Sequence, residues 1–307
     1  MKKVLVATEK PFSQIAIDEI KIVLDGAGFQ LELLEKYTDK SQLLSAVADV
    51  DAMIVRSDKV TTEVLDAAKN LKIVVRAGAG YDNLDLDACT QREVVAMNTP
   101  GQNSNAVAEL VFGMMIYGMR KQFSGGVGSE LRGKSIGIHA YGNVGYYVGK
   151  IAHGFDMKVY GYDPYVSADR MQAHGVEPLA SVEELYRTCE FISLHIPAND
   201  FTKKSINKAI LSMMPQGAVL VNTARKEVID EDGMIELMDE RPDFMYLSDI
   251  TPDKAEEFQK RFPGRYFFTP KKMGAQTEEA NVNAGVAAAR QIVSYLTSGD
   301  ETFRVNR

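Results

Sequence analysis

The chain has 307 residues, of which 45% are hydrophobic and 25% are charged. Those values are typical of a globular protein, and the length favours two domains. The formal net charge of −7 argues against nucleic acid or an anionic membrane as the main partner. Cys89 and Cys189 have no CxxC spacing, which argues against a disulfide framework or a cysteine-ligated zinc. No signal-peptide pattern or long apolar run occurs, so we expect a cytoplasmic protein without a metal site.

Short β-branched segments alternate with longer amphipathic segments along almost the whole chain. In chain order, the predicted strands are 3–8, 52–57, 72–78, 94–99, 135–142, 158–163, 191–197, 218–224, 245–250 and 267–269. A long apolar helix is predicted at 104–119, and an alanine- and valine-rich helix at 277–297. Strands that are apolar on both faces and alternate with helices predict parallel sheets covered by helices, an α/β fold.

The segment 133–165 reads as a strand, a glycine turn, a helix and a second strand. The turn is a G-x-G-x-x-G pattern whose first glycine is replaced by alanine, and it consists of Ala140, Tyr141, Gly142, Asn143, Val144 and Gly145. In this pattern Gly142 lets the backbone approach a pyrophosphate, and Gly145 lets the helix pack closely on the strand. Asp163, 18 residues after Gly145, is spaced to bind adenosine ribose hydroxyls and to repel a 2′-phosphate. The segment therefore predicts binding of NAD rather than NADP.

Four further motifs lie on both sides of this turn: VRS at 55–57, RAGAGYDN at 76–83, NTPGQN at 98–103 and NTAR at 222–225. Together with the position of the glycine turn near the middle of the chain, they resemble the D-2-hydroxyacid dehydrogenases over nearly the whole length. The resemblance implies two Rossmann-like, doubly wound parallel-sheet domains with a cleft between them. Residues 1–98 plus about 281–307 would bind substrate, and 99–280 would bind NAD. It also implies a homodimer.

Within that family, Arg56 and Ser57 favour the branch whose substrate carries a phosphate, with 3-phosphoglycerate oxidised to 3-phosphohydroxypyruvate. The substrate-binding residues implied by the resemblance are Arg56, Ser57, Ala77, Gly78, Ala79, Gly80 and Asn103. The cofactor contacts implied beyond the turn and Asp163 are His195, Pro197, Thr223, Ala224, Asp249 and Gly274. Arg225 matches the family arginine that grips the carboxylate and the C2 oxygen, a task suited to its fork of donors.

Oxidation of a 2-hydroxy acid also needs a base for the hydroxyl proton. The family normally places a histidine where TPKKMGAQT stands and pairs it with a glutamate. The histidines of this chain lie elsewhere, at His139, His153, His174 and His195, and Lys254 stands at the glutamate spacing. An ammonium has no tautomer for a carboxylate to fix, so both departures fit a lysine as the acid/base. Counting from the GAQT helix entry favours Lys272, whereas counting from Thr-Pro favours Lys271.

Like charge from the neighbouring lysine and Arg225, together with burial, should lower the pKa of the acid/base lysine. We therefore expect oxidation to have an alkaline optimum. Two alternatives remain open. One is a hydroxypyruvate or glyoxylate reductase of the same family, in which Arg56 would be dispensable. The other is a catalytically inactive NAD(H)-sensing protein, although such a protein would need neither Arg225 nor the loop at 76–83.

Overall fold

The computed structural model describes residues 1–306. They divide into two compact units. The first unit contains Met1–Asn103 and the C-terminal segment that begins at Gln276, and the second contains Ser104–Ala275. Among the described residues, no helix is long and apolar enough to cross a membrane.

The strands are β1 Lys3–Thr8, β2 Gln30–Glu35, β3 Ala52–Val55, β4 Ile73–Arg76, β5 Val95–Asn98, β6 Ser135–His139, β7 Lys158–Tyr162, β8 Glu177–Pro178, β9 Phe191–Leu194, β10 Val219–Asn222, β11 Met245–Ser248 and β12 Tyr266–Phe268. The α-helices are α1 Gln14–Gly26, α2 Lys40–Ala46, α3 Thr62–Ala67, α4 Leu86–Gln91, α5 Ser104–Met119, α6 Asn143–Gly154, α7 Ala168–Gln172, α8 Val182–Thr188, α9 Lys208–Leu211, α10 Glu231–Glu240, α11 Ala255–Arg261 and α12 Glu278–Ser298. Three short 3₁₀ helices span Val47–Asp49, Lys121–Phe123 and Lys226–Val228.

The first unit is built on a five-stranded parallel sheet in the order β2-β1-β3-β4-β5. Successive side chains of a strand point to opposite faces, and here both faces are buried. Val4 and Val6 lie in a core with α1 and α12, whereas Leu5 and Ala7 lie in a core with α2, α3 and α4. Small residues of α12 allow it to pack closely on α1, since a Cβ at Gly285 would lie 2.9 Å from the side chain of Ile20. The sheet is therefore covered by helices on both sides.

The second unit contains a seven-stranded parallel sheet in the order β12-β11-β10-β9-β6-β7-β8. The chain order reverses between β6 and β9, which pair side by side. In open parallel sheets the carboxyl ends of the strands at such a switch point form the usual ligand-binding edge. The nucleotide turn follows β6 at this point, and the NTAR motif begins at the end of β10.

Two parallel sheets with helices confirm the predicted fold class. Most predicted strands continue past the observed carboxyl ends; for example, 218–224 was predicted and the strand is Val219–Asn222. The excess residues include the motif residues Arg56, Thr223 and Asp249, and they lie in the loops that follow the carboxyl ends of the strands. β2 was missed because its side chains are half-buried or exposed, whereas the predicted strands were those apolar on both faces. β8 was missed because it has only two residues.

Candidate active site

The nucleotide turn lies between β6 and α6, and its geometry explains the glycine pattern. Ala140 has a φ of 78°, in the left-handed region that glycine adopts freely and that costs other residues about 1–2 kcal/mol. A Cβ at Gly145 would lie 2.6 Å from the carbonyl oxygen of Ala140, so only glycine lets α6 approach the turn. Around Gly142 an added Cβ would meet no atom within 4 Å. The backbone there is open to a ligand.

Asp163 follows β7 and holds the turn in place. Its Oδ2 accepts a hydrogen bond from the N–H of Tyr141 at 2.8 Å, and its Oδ1 accepts one from the N–H of Tyr165 at 2.8 Å. Tyr141 is buried, whereas Asn143 is exposed and Val144 is half-buried. The free N–H groups at the start of α6 form a site suited to an anion.

Two histidines adjoin the turn, and both are neutral at physiological pH. The backbone N–H of His195 donates to the backbone carbonyl oxygen of His139 at 2.9 Å. Burial lowers the pKa of His139 to about 4, and burial together with His139 lowers the pKa of His195 to about 3. His139 contacts the hydroxyl of Tyr186 through Nδ1 at 3.2 Å, and His195 contacts that of Ser193 through Nε2 at 2.9 Å. Pro197, two residues further on, is exposed.

Lys272 and Arg225 meet at one carbonyl oxygen of the second unit. Lys272 lies in the loop between β12 and α12 and is half-buried. Its Nζ donates to the carbonyl oxygen of Ala224, and to that of Thr223 at 3.4 Å. Nη1 of Arg225 donates to the same oxygen of Ala224 at 3.1 Å. Lys271, in contrast, has an exposed side chain.

Burial and charge oppose each other at Lys272. Burial lowers the pKa of its ammonium, and Arg225 lowers it further, whereas the carboxylate of Asp249 raises it. Burial raises the pKa of Asp249, and Lys272 is the largest of the influences that oppose this increase. The result is a lysine whose proton is easier to remove than that of a lysine in water.

Asp249 also fixes the loop that carries Lys272. Its Oδ2 accepts a hydrogen bond from the N–H of Gly274 at 3.0 Å. A Cβ at Gly274 would lie 2.7 Å from that oxygen, so glycine is needed for this approach. Oδ1 of Asp249 and Oγ1 of Thr223 are buried without a hydrogen-bond partner among the described residues. Such atoms are costly unless a bound group satisfies them.

In the first unit, Arg56 is largely engaged by its own surroundings. Its Nη1 donates to the carbonyl oxygens of Lys10 and Pro11, both at 3.0 Å, and its Nη2 donates to Oδ1 of Asn281 at 2.6 Å. Its guanidinium also lies over the ring of Phe12, 5.1 Å from the centroid. These bonds use three of the five N–H groups of the guanidinium, and burial lowers its pKa.

The loop 77–80 offers fewer free N–H groups than the sequence suggested. The N–H of Ala77 donates to the carbonyl oxygen of Val55 at 2.8 Å, and that of Gly78 donates to Oγ1 of Thr99 at 2.6 Å. The predicted carboxylate nest is thereby narrowed to the N–H groups of the last two residues, Ala79 and Gly80. A side chain at Gly78 would be strained, because φ is 145°, and its Cβ would displace the guanidinium of Arg76.

The side chains of two other predicted substrate residues make no hydrogen bond within residues 1–306. Ser57 is exposed and Asn103 is half-buried. Lys254, which stands at the glutamate spacing, forms an ion pair with Asp232, and the neighbouring Asp253 pairs with Lys226 at 2.5 Å. This segment is therefore tied to the residues that follow Arg225 by surface ion pairs.

Sequence reasoning missed two residues that position the candidate site. Asp58 is buried and accepts hydrogen bonds from the N–H of Glu9 at 2.7 Å and from the hydroxyl of Tyr37 at 2.8 Å, beside Arg56. Asn222 holds the turn before Arg225, because its Nδ2 donates to the carbonyl oxygen of Arg225 at 3.0 Å. Asp58 directly follows the VRS motif and Asn222 is the first residue of the NTAR motif, and those positions are the only sequence signal for the two residues.

Comparison with known proteins adds to this geometry. Residues 112–265 match the family model described as D-isomer specific 2-hydroxyacid dehydrogenase, NAD binding domain. The D-3-phosphoglycerate dehydrogenase of Methanocaldococcus jannaschii is 33% identical over 296 residues, covering 91% of this chain and 55% of the relative. The hydroxypyruvate reductase of Thermotoga maritima is 31% identical over 284 residues, covering 87% and 92%.

Among solved structures, the NAD⁺-bound 3-phosphoglycerate dehydrogenase of Entamoeba histolytica is 46% identical, with a TM-score of 0.88. The match covers 100% of this chain and 99% of that chain. In contrast, this chain spans about half the length of the D-3-phosphoglycerate dehydrogenases that it matches in sequence, 55% and 56% in two of them.

Proposed function

Because this chain belongs to the D-isomer-specific 2-hydroxyacid dehydrogenases, with NAD as its cofactor, we propose that it oxidises D-3-phosphoglycerate to 3-phosphohydroxypyruvate. This reaction is the first step of L-serine biosynthesis. The names of several relatives and Arg56 support the phosphorylated substrate. We assign Lys272 as the acid/base and Arg225 as the clamp for the carboxylate and the C2 oxygen.

The observation that carries the assignment is the shared carbonyl oxygen of Ala224. It brings the ammonium of Lys272 next to the guanidinium of Arg225, as a site for proton transfer and carboxylate binding requires. Lys271 is exposed, so its ammonium lacks the burial that makes a lysine a better base. This contrast favours Lys272 of the two.

The chain's own residues fit NAD at two places. The turn from Ala140 to Gly145 has an open backbone at Gly142 and leads into the N-terminus of α6, which suits a pyrophosphate. The buried Oγ1 of Thr223 and Oδ1 of Asp249 lack partners and would be satisfied by an amide group such as the one on nicotinamide. When bound, NAD supplies the acceptor for the hydride from C2.

Proton transfer then follows from the state of Lys272. In oxidation, its neutral amine takes the hydroxyl proton, and the lowered pKa increases the fraction of that form. In reduction, its ammonium donates the proton to the forming hydroxyl. Arg225 stays charged in both directions and stabilises the negative charge on the C2 oxygen.

The test is to follow NADH absorbance while purified protein is offered 3-phosphohydroxypyruvate, hydroxypyruvate, glyoxylate or pyruvate. We expect rapid oxidation of NADH with the phosphorylated substrate and slow oxidation with the other three. Oxidation of NADH by none of them, with NADH still bound, would instead support the NAD(H)-sensing alternative.

A second candidate is a hydroxypyruvate or glyoxylate reductase. It is favoured by the hydrogen bonds that already engage Arg56 within its own unit, because an arginine held in this way has fewer N–H groups left for a phosphate. Equal or faster turnover of the unphosphorylated substrates in the same assay would replace the first proposal with this one.

We also propose that the enzyme is a homodimer, as the family resemblance implies. Light scattering coupled to size exclusion should then give twice the chain mass of 33.9 kDa. A mass of one chain across the concentrations used for the activity assay would contradict the dimer. It would leave the assignment of the reaction unchanged.

A further inference from the structure

A pocket of about 410 Å³ lies within the first unit, lined by α1, the loop after β5, residues 282–291 of α12 and Phe303. Its volume is within the range of small-ligand sites. The residues assigned above to substrate, cofactor and proton transfer do not line it. It is distinguished by polar side chains that lack hydrogen-bond partners.

These polar side chains have opposite charges and few partners. Arg290 on α12 and Glu19 on α1 both line the pocket and are exposed. Neither side chain forms a hydrogen bond or an ion pair with any other residue among 1–306, and the two do not pair with each other. The amides of Gln102 and Asn283 also line the pocket and are also without hydrogen bonds in the described part of the chain.

Gln291 is the second, independent sign of a ligand. It lines the same pocket and is only 9% exposed, yet its Oε1 has no hydrogen-bond partner. Its Nε2 donates to the carbonyl oxygen of Asn98 at 3.0 Å, which fixes the orientation of the amide. A buried acceptor without a donor is costly, and a ligand N–H group would remove that cost.

We propose that this pocket binds a small zwitterion, an α-amino acid. Its carboxylate would pair with Arg290, and its ammonium would pair with Glu19 and donate to the amide oxygen of Gln291. A simple anion would pair with Arg290 but would be repelled by Glu19. A simple amine would pair with Glu19 but would be repelled by Arg290. Phe303 and the valines of α12 that line the pocket supply apolar surface for the side chain of the ligand.

The pocket is linked to the predicted carboxylate loop inside the same unit. Asn98, which receives the hydrogen bond from Gln291, donates through its Nδ2 to the carbonyl oxygen of Ala79 at 2.6 Å. A ligand that reorders Gln291 therefore acts on the residue that positions the loop 77–80. Because binding energy can be shared between two such sites, occupancy of the pocket is expected to change the affinity for the 2-hydroxy acid.

Calorimetric titration of the wild-type protein with a panel of L-amino acids, and with acetate and ethylamine as single-charge probes, tests the proposal. We expect binding by at least one amino acid and markedly weaker binding by both single-charge probes. Arg290→Ala and Glu19→Gln should each weaken amino-acid binding by at least about tenfold, since each removes one charged partner. Asp18→Asn, an exposed neighbour on α1 that does not line the pocket, should leave it unchanged.

Because Arg290 and Glu19 are exposed and unpaired, their variants are expected to fold normally. Acetate binding as tightly as the amino acids would identify an anion site and overturn the zwitterion. An absence of binding by the whole panel at millimolar concentration would overturn the site itself. Calorimetric binding to the wild-type protein and to the variants is measured without catalysis, so both results remain informative if the proposed reaction is wrong.

Discussion

The two units differ in how far their candidate site residues are already satisfied. In the first unit, Arg56 uses three of its five guanidinium N–H groups, and the loop 77–80 uses two of its four backbone N–H groups, for hydrogen bonds within the unit. In the second unit, Thr223 and Asp249 keep buried polar atoms without partners, and Lys272 carries a charge that burial disfavours. The second unit is thus pre-formed for a ligand at some cost to stability, whereas the donors of the first unit stabilise its own loops.

The largest expected effect separates the two lysines of one loop. Lys272→Met removes the ammonium next to Arg225 and keeps most of the side-chain volume. We expect turnover to fall at least about a hundredfold, the usual contribution of a general acid/base. Lys271→Met is the matched control, because its ammonium is exposed one residue away, and it should retain most of the activity. Steady-state NADH absorbance gives both values.

Binding of NADH, followed by its fluorescence, should be similar in the two lysine variants. A large loss of turnover in Lys271→Met alone would transfer the acid/base role to Lys271. Near-normal turnover in both variants, with a neutral pH optimum for oxidation, would remove the lysine assignment altogether.

Arg56→Met tests whether the guanidinium of Arg56 has N–H groups free to bind a phosphate. If it does, Arg56→Met should reduce the preference for 3-phosphohydroxypyruvate over hydroxypyruvate by at least about tenfold, since a charge-assisted hydrogen bond contributes about 1.5–3 kcal/mol. The measurement is kcat/KM for each substrate. Hydroxypyruvate serves as the internal control, because lost bonds to Lys10, Pro11 and Asn281 would affect both substrates alike.

An equal loss with both substrates would show that Arg56 only stabilises its own unit. The contrast between the two units would then be sharper, since phosphate recognition would have to come from other residues. A loss confined to the phosphorylated substrate would show that the hydrogen-bonded arrangement of Arg56 still leaves room for a ligand.

A smaller effect is expected in the nucleotide turn. Gly145→Ala should lower the free energy of unfolding by about 1–3 kcal/mol, because its Cβ would overlap the backbone of Ala140. Ala140→Gly should raise it by up to about 1 kcal/mol, since relief of the left-handed strain exceeds the entropy that glycine adds to the unfolded chain. Gly142→Ala is the control and should change it by no more than about 0.5 kcal/mol.

Urea denaturation followed by circular dichroism measures all three turn variants. A decrease in stability for Ala140→Gly would mean that the alanine methyl group makes a packing contact that outweighs its backbone strain. In that case the departure from the glycine pattern would be a stabilising substitution.

Much of the fold followed from the sequence, because apolar residues on both faces of short segments have few solutions other than covered parallel sheets. The edge strand β2 did not, since half-exposed residues give a weaker pattern. In the site, motif and spacing indicated Arg225, Asp163 and the lysine loop. They could not indicate that Lys272 donates to the carbonyl oxygen of Ala224, or that Arg56 donates to Asn281, because those contacts join residues far apart in sequence.

The last prediction concerns the charge of Asp249. Its carboxylate raises the pKa of Lys272, against burial and Arg225. Asp249→Asn removes that charge and keeps an oxygen for the N–H of Gly274, so the pKa of Lys272 should fall further. Oxidation needs the neutral amine and gains rate as pH rises through this pKa, so the rising limb of its kcat/KM profile should move to lower pH.

Reduction needs the ammonium and loses rate as pH rises through the same pKa. The falling limb of its kcat/KM profile should therefore also move to lower pH. Asp253→Asn is the matched control, because Asp253 pairs with Lys226 at the surface and its loss should leave both limbs in place. A shift of the limbs to higher pH in Asp249→Asn would mean that another group titrates. The carboxylate of Asp249, with its unpartnered Oδ1, would then serve only to bind the ligand, and binding rather than proton transfer would explain the cost of its burial.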